Sequence, residues 1–121
     1  MLFAAACAGP SEEIKLYDKT IFAYEKALRW QDYDFVLSIH KSEHATLTPE
    51  KRKALKQYRV TGYNVVYSKM EPDQQHATQV IELKYYNDVY NVVRDLTIQN
   101  EWEFNVAEQR WYLTNPLPDF K

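Results

Sequence analysis

The chain has 121 residues, of which 45% are apolar and 26% charged, with a net charge of −2. That is one ordinary domain, long enough to bury a core without disulfides, and its slight acidity argues against a nucleic-acid binder. The longest apolar run, residues 1–8, falls far below the roughly 18 residues of a helical membrane span.

The first ten residues carry the only cysteine, Cys7, behind Ala4, Ala5 and Ala6 and ahead of Ala8 and Gly9. A single cysteine has no internal disulfide partner, so packing, reactivity, an intermolecular bond or modification remain. Small residues flank cleavage sites because the processing peptidase accepts only small side chains beside the scissile bond. The stretch resembles the lipobox of bacterial lipoproteins, with Ala4 where that pattern favours Leu. The resemblance implies a truncated leader with Cys7 as the lipidated first mature residue. The expected anchor is lipid only, and Ala8 rather than Asp after the cysteine implies an outer-membrane lipoprotein of the bacterial cell envelope, facing the periplasm. Residues 1–10 are then a leader remnant and tether, and 11–121 a single domain.

Ser11 ahead of Glu12 and Glu13 predicts a helix start, with an N-cap and acids in the first turn. Ile14, Tyr17, Ile21, Tyr24 and Leu28 recur at three- and four-residue spacing and form one apolar stripe. Asp32 or Asp34 caps a second, short helix through Phe35, Val36 and Ile39. Thr48 with Pro49 behind it starts a third, running towards Tyr58.

From Tyr58 the period changes from about 3.6 to 2, which predicts strands. "YRVTGYNVVYSKM" is the first, with Gly62 as a bulge candidate, and "EPDQQ" is the turn to "HATQVIELKYY". Asn87 and Asp88 are expected to make a tight connection. The third strand is expected from Tyr90, with Tyr90, Val92, Leu96, Ile98, Trp102, Phe104 and Val106 on one phase. "VAEQ" turns the chain into a last strand, "RWYLTN". The predicted class is α+β, of order α-α-α-β-β-β-β, with the N-terminal helices packed on a strongly curved antiparallel sheet.

The acidic "WQDYD" turn, the late strands and the closing "EWEFNVAEQRWYL" with its paired tryptophans are similar to the nuclear transport factor 2-like superfamily of cone-shaped, cystatin-like domains. The similarity covers about residues 11–115; the usual Gly of the final turn is replaced by Glu108 and Gln109. It implies a cone with an interior cavity, a homodimer through the sheet, and two functional classes: binding modules, or isomerases and dehydratases with an Asp or His inside the cone.

Arg94 is the one charged residue on the buried phase of the third strand. It either binds an anionic ligand at the cone mouth or lies at the sheet's end, or pairs with a carboxylate such as Glu82. No general base accompanies it, because Asp95 faces the other side, so no catalytic residue is assigned. His40 and His44 stand four apart, a metal-ligand spacing on a continuous helix, but "KSE" between them and "ATLTP" after them indicate a helix end, and no third ligand is near. No metal or other cofactor is expected. Lys51, Arg52, Lys53, Lys56 and Arg59 form a basic run of the kind usually solvated. Tyr63, Tyr67, Tyr85, Tyr86 and Tyr90 concentrate in the strands, where Tyr offers area with a hydrogen-bonding tip. The candidate ligand or partner residues are Tyr24, Tyr63, Tyr85, Tyr90, Arg94 and Trp102. The expected partner is a protein or a small apolar or anionic ligand, not nucleic acid. The favoured class is a non-enzymatic binding domain, with a small isomerase or hydratase as the alternative.

Overall fold

The computed structural model describes residues 11–41 and 48–121. Within them, three helices precede four strands: α1 (Glu12–Arg29), α2 (Tyr33–Ile39), α3 (Pro49–Leu55), β1 (Tyr58–Met70), β2 (His76–Asn87), β3 (Val93–Asn105) and β4 (Arg110–Leu113). Local chemistry sets the helix starts. The Ser11 hydroxyl accepts from the Ile14 amide, Asp32 from Phe35, and Thr48 from Lys51, each meeting a donor that the first turn leaves unpaired. α1 stops at Trp30 because Gln31 adopts a left-handed conformation (φ 60°). Its side-chain amide donates to the carbonyls of Lys56 and Tyr58, which fastens the α1–α2 turn to the start of β1.

The strands form an antiparallel meander in the order β1-β2-β3-β4, and the sheet is not closed. β1 carries two register shifts against β2, at Val60/Gly62 and Val65/Tyr67, and such bulges bend and twist a strand. Past β4, His40 bridges Leu113 in parallel, and the Lys41 amide donates to the Leu113 carbonyl, so the end of α2 extends that edge. α1 lies in the concave side, where Tyr17, Tyr24, Ala27 and Leu28 meet Ile81, Leu83, Trp102 and Trp111. The convex side is wet: Lys84 pairs with Asp95, and Thr78 donates to Glu101.

β3 begins at Val93, not Tyr90, which corrects the expected strand. The Asn87 side-chain oxygen accepts from the amides of Val89 and Tyr90, and Asn91, left-handed at φ 56°, donates its amide to the Asn87 carbonyl. This local network holds residues 88–92 as a wider loop than the two-residue connection expected, so Tyr90 and Val92 never enter the sheet.

Candidate functional site

The concave side holds two regions of interest, one sealed and one open. The sealed region is polar to an unusual degree for a core. Tyr17 and Tyr24 stand seven residues apart on α1, and the rings of both lie perpendicular to Trp102 of β3, with centroids 6.0 and 5.7 Å away. Tyr33 of α2 and Tyr63 of β1 bring their hydroxyls to the same interior. Gln79 and Asn100 face each other across β2 and β3. Among the described residues, six buried polar atoms here have no hydrogen-bond partner: the hydroxyls of Tyr17, Tyr33 and Tyr63, Gln79 Oε1, Asn100 Nδ2 and Trp102 Nε1. Ser68 sits near enough to the Tyr17 hydroxyl to temper its pKa, but without hydrogen-bond geometry.

At the centre is a connected chain of groups. His40 Nδ1 lies 2.8 Å from the Asn115 carbonyl, which can only accept, so Nδ1 carries the proton. Nε2 is then the acceptor for the Tyr24 hydroxyl at 2.7 Å. Asn115 continues the chain by donating from Nδ2 to Asn100 Oδ1. Burial lowers the His40 pKa, against a smaller opposing effect of the Asn115 carbonyl, so the ring is neutral. Burial raises Tyr24 well above the usual phenol range and pushes Tyr33 up to about 12, so both keep their protons. Tyr63 is raised too, by burial and then by the Glu25 carboxylate. Tyr24 and His40 are each only 1% exposed.

The open region is the wide end of the wrap, where α3, the start of β1 and the chain after β4 converge. Two depressions meet there. One, of about 590 Å³, runs between Lys51, Leu55 and Tyr58 on one side and Leu117, Pro118 and Phe120 on the other. The second, of about 610 Å³, is lined by Tyr85, Val93, Arg94, Asp95, Leu96, Asp119 and Lys121. Tyr85 and Arg94 are direct cross-strand partners, so their side chains leave the same face of the sheet, and both line this depression. Arg94 takes part in none of the ion pairs among the described residues. Beside it the 88–92 loop exposes Val89, Tyr90 and Val92, and Val93 is exposed at the start of β3.

The six candidate side chains therefore separate. Tyr24, Tyr63 and Trp102 belong to the sealed interior; Tyr85 and Arg94 belong to the mouth. Tyr90 is 73% exposed on the rim rather than lining the cone, and Val92 is exposed with it, which corrects their expected place. Of the alternatives for Arg94, the pair with Glu82 is not formed: Glu82 opposes Thr97 on the convex side. The basic run is solvated and partly paired, Arg52 with Asp34 and Arg59 with Asp88. Cys7 and His44 lie outside the described residues, and His40 caps α2 instead of continuing it. Three interior groups escaped the sequence reading. Gln79 and Asn100 are polar residues in apolar register, which was a usable signal; Tyr33, at the start of a short helix, offered none.

No family model and no curated protein matches the chain. Among solved structures, a SEC-C motif containing protein from Psychrobacter arcticus superposes with a TM-score of 0.50 at 12% identity. The superposition covers 78% of this chain and 56% of that one, so the chain spans little more than half of its neighbour's length. At that identity the likeness extends to the fold alone.

Proposed function

We propose that this is a nuclear transport factor 2-like binding domain, displayed on a lipid-anchored protein of the bacterial envelope, that takes a small apolar or anionic ligand at the mouth of the wrap. The observation that carries the reading is the pairing of Arg94, without an ion partner among the described residues, with the apolar floor of Tyr85 and Leu96 in one depression. A guanidinium in that setting is a ready receptor for a carboxylate or phosphate, because its planar fork matches two oxygens at once. The exposed rim of Val89, Tyr90, Val92 and Val93 supplies apolar area for the rest of a ligand or for a carrier.

A small isomerase or hydratase is the second reading, favoured by the Tyr24–His40 pair. It ranks lower because both groups are sealed, each only 1% exposed.

The test is a binding screen by two-dimensional NMR, using small organic acids and their neutral isosteres, on wild type and Arg94→Ala. Acids that shift the Arg94, Tyr85 and Leu96 signals in wild type, and not in the variant, support the reading. Shifts centred on Tyr24 and His40, or none at all, overturn it. Mass spectrometry of the protein from its native locus tests the anchor separately, by the presence or absence of acylated Cys7 as first residue.

A further inference from the structure

The two depressions at the mouth are neighbours separated by the chain itself. Asp119 and Phe120 lie between them, and Asp119 lines both. Phe120 is only 9% exposed although it follows β4 in an irregular segment. Its ring stacks on Tyr58, centroids 5.4 Å apart at 17°, and meets Tyr85 nearly edge-on at 4.9 Å. The Tyr85 hydroxyl accepts from the Lys121 amide at 3.1 Å and donates to the Lys121 carbonyl at 3.3 Å.

The rest of the segment is held by side-chain packing, with Pro118 buried and Leu117 against the core, and hardly at all by its backbone. Pro116 and Pro118 have no amide to donate, and beyond Asn115 the described backbone donates a hydrogen bond only through Lys121. Packed but without a hydrogen-bond ladder, such a segment opens more readily than the sheet beneath it. What it inserts is the Phe120 ring, set over two tyrosines; the Asp119 carboxylate beside it stays exposed, 3.6 Å from the Lys121 ammonium, at the rim of the depression that Arg94 lines.

We propose that residues 116–121 are a built-in surrogate ligand: Phe120 occupies an aromatic subsite between Tyr58 and Tyr85, and an aromatic carboxylate displaces it, its ring entering that subsite and its carboxylate meeting Arg94. This rests on the mouth reading above and names its ligand class. One stacked wall and one edge-on wall select a flat ring over an aliphatic chain. Tyr85 and Arg94 are direct cross-strand neighbours, about 5 Å apart at Cβ, a span that a phenyl ring with a short acid arm covers. With the segment lifted, the two depressions become one.

The experiment titrates 3-phenylpropionate, with 3-phenylpropan-1-ol as its neutral control, into wild type, Phe120→Ala and Phe120→Ala/Arg94→Ala. Two-dimensional NMR follows the Phe120, Tyr58 and Tyr85 rings. The acid should move Phe120 of wild type to a solvent-exposed signal as it saturates. Removing the competing ring should tighten binding roughly tenfold or more, since apparent affinity scales with the open fraction. The double variant and the alcohol should lose that gain. If the acid shifts Arg94 and Tyr85 while Phe120 stays seated, the surrogate idea falls and mouth binding survives. If a folded Phe120→Ala ignores the acid, both fall. Should that variant not fold, Phe120→Leu and the wild-type Phe120 signal decide the matter alone.

Discussion

Tyr24 and His40, sixteen residues apart in the chain, share a 2.7 Å hydrogen bond inside the sealed core, and His40 passes the connection on to the Asn115 carbonyl. This ties α1, the end of α2 and the segment after β4 through one imidazole. Tyr24→Phe would leave Nε2 buried with no donor, and an unsatisfied buried acceptor costs about 1–3 kcal/mol. Urea unfolding should show that loss with an unchanged denaturant slope; a change under about 0.5 kcal/mol would mean that the bond contributes only geometry.

The two described histidines should act oppositely on stability as pH changes. His40 has a folded pKa below its ordinary 6.5, from burial, so between the two values the unfolded chain binds a proton that the folded chain refuses. Stability therefore falls as pH drops below about 6.5 through that interval. His76 has a raised pKa, chiefly from its hydrogen bond to Asp73 at 2.7 Å. Its contribution is present below pH 6.5 and disappears as pH rises through the folded value. Unfolding midpoints from pH 5 to 8 should flatten in His40→Gln and decline more steeply towards acid in His76→Asn. Parallel curves in all three proteins would contradict the assignment.

Tyr90 and Trp102 were expected to line one face, and the structure separates them. Trp102→Ala removes a 1%-exposed indole from between Tyr17 and Tyr24, and should cost about 3–5 kcal/mol. Tyr90→Ala, on the exposed loop, should stay within about 0.5 kcal/mol. Thermal melts of the two variants side by side check the contrast, and a large loss in Tyr90→Ala would place that ring in contact with the sheet.

The same pair explains what the sequence could and could not convey. Helix starts were legible because Ser11, Asp32 and Thr48 act locally, each through its own side chain on an amide three residues on. The strand phase was legible because Trp102 and Phe104 alternate with wet neighbours. The beginning of β3 was not, since Tyr90 and Val92 keep the apolar alternation while Asn87 diverts the backbone with its side chain. Arg94 stood out by its register, and a place at the sheet's end was one of the readings open for it. The Tyr24–His40 bond was beyond reach, because it depends on α2 swinging back to pair with β4, a tertiary event without a local signature. Gln79 and Asn100 could have been found by asking which polar residues interrupt the buried phase.

Trp111 ties the last strand to the first helix: its indole donates to the Glu13 carbonyl at 2.8 Å, from β4 to the first turn of α1. Trp111→Phe removes the donor and part of the buried volume, a loss of about 1–3 kcal/mol. Hydrogen exchange should localise the effect, with the amides of the first two turns of α1 exchanging faster than those around Leu28. Uniform acceleration along the helix would mean that Trp111 acts through the whole core instead.

Gly62 sits at the first register shift of β1, opposite Lys84 of β2. A Cβ there would stand 3.1 Å from Lys84 Cβ, closer than ordinary contact. Alanine in a strand is normally favoured over glycine by reduced unfolded-state entropy, by roughly 0.5–1 kcal/mol. Here the neighbour is the first carbon of a side chain in a paired strand, with its ammonium engaged by Asp95 at 2.9 Å, so it cannot swing aside as a side-chain tip would. The clash should outweigh the entropy, making Gly62→Ala destabilising by about 1 kcal/mol and Gly62→Val more so. Lys84→Gly relieves the contact from the other side. In the Gly62→Ala background it should therefore cost less than in wild type, a coupling that a double-mutant cycle of urea midpoints measures. Strict additivity would show that β1 and β2 part at this bulge freely enough to admit the methyl group.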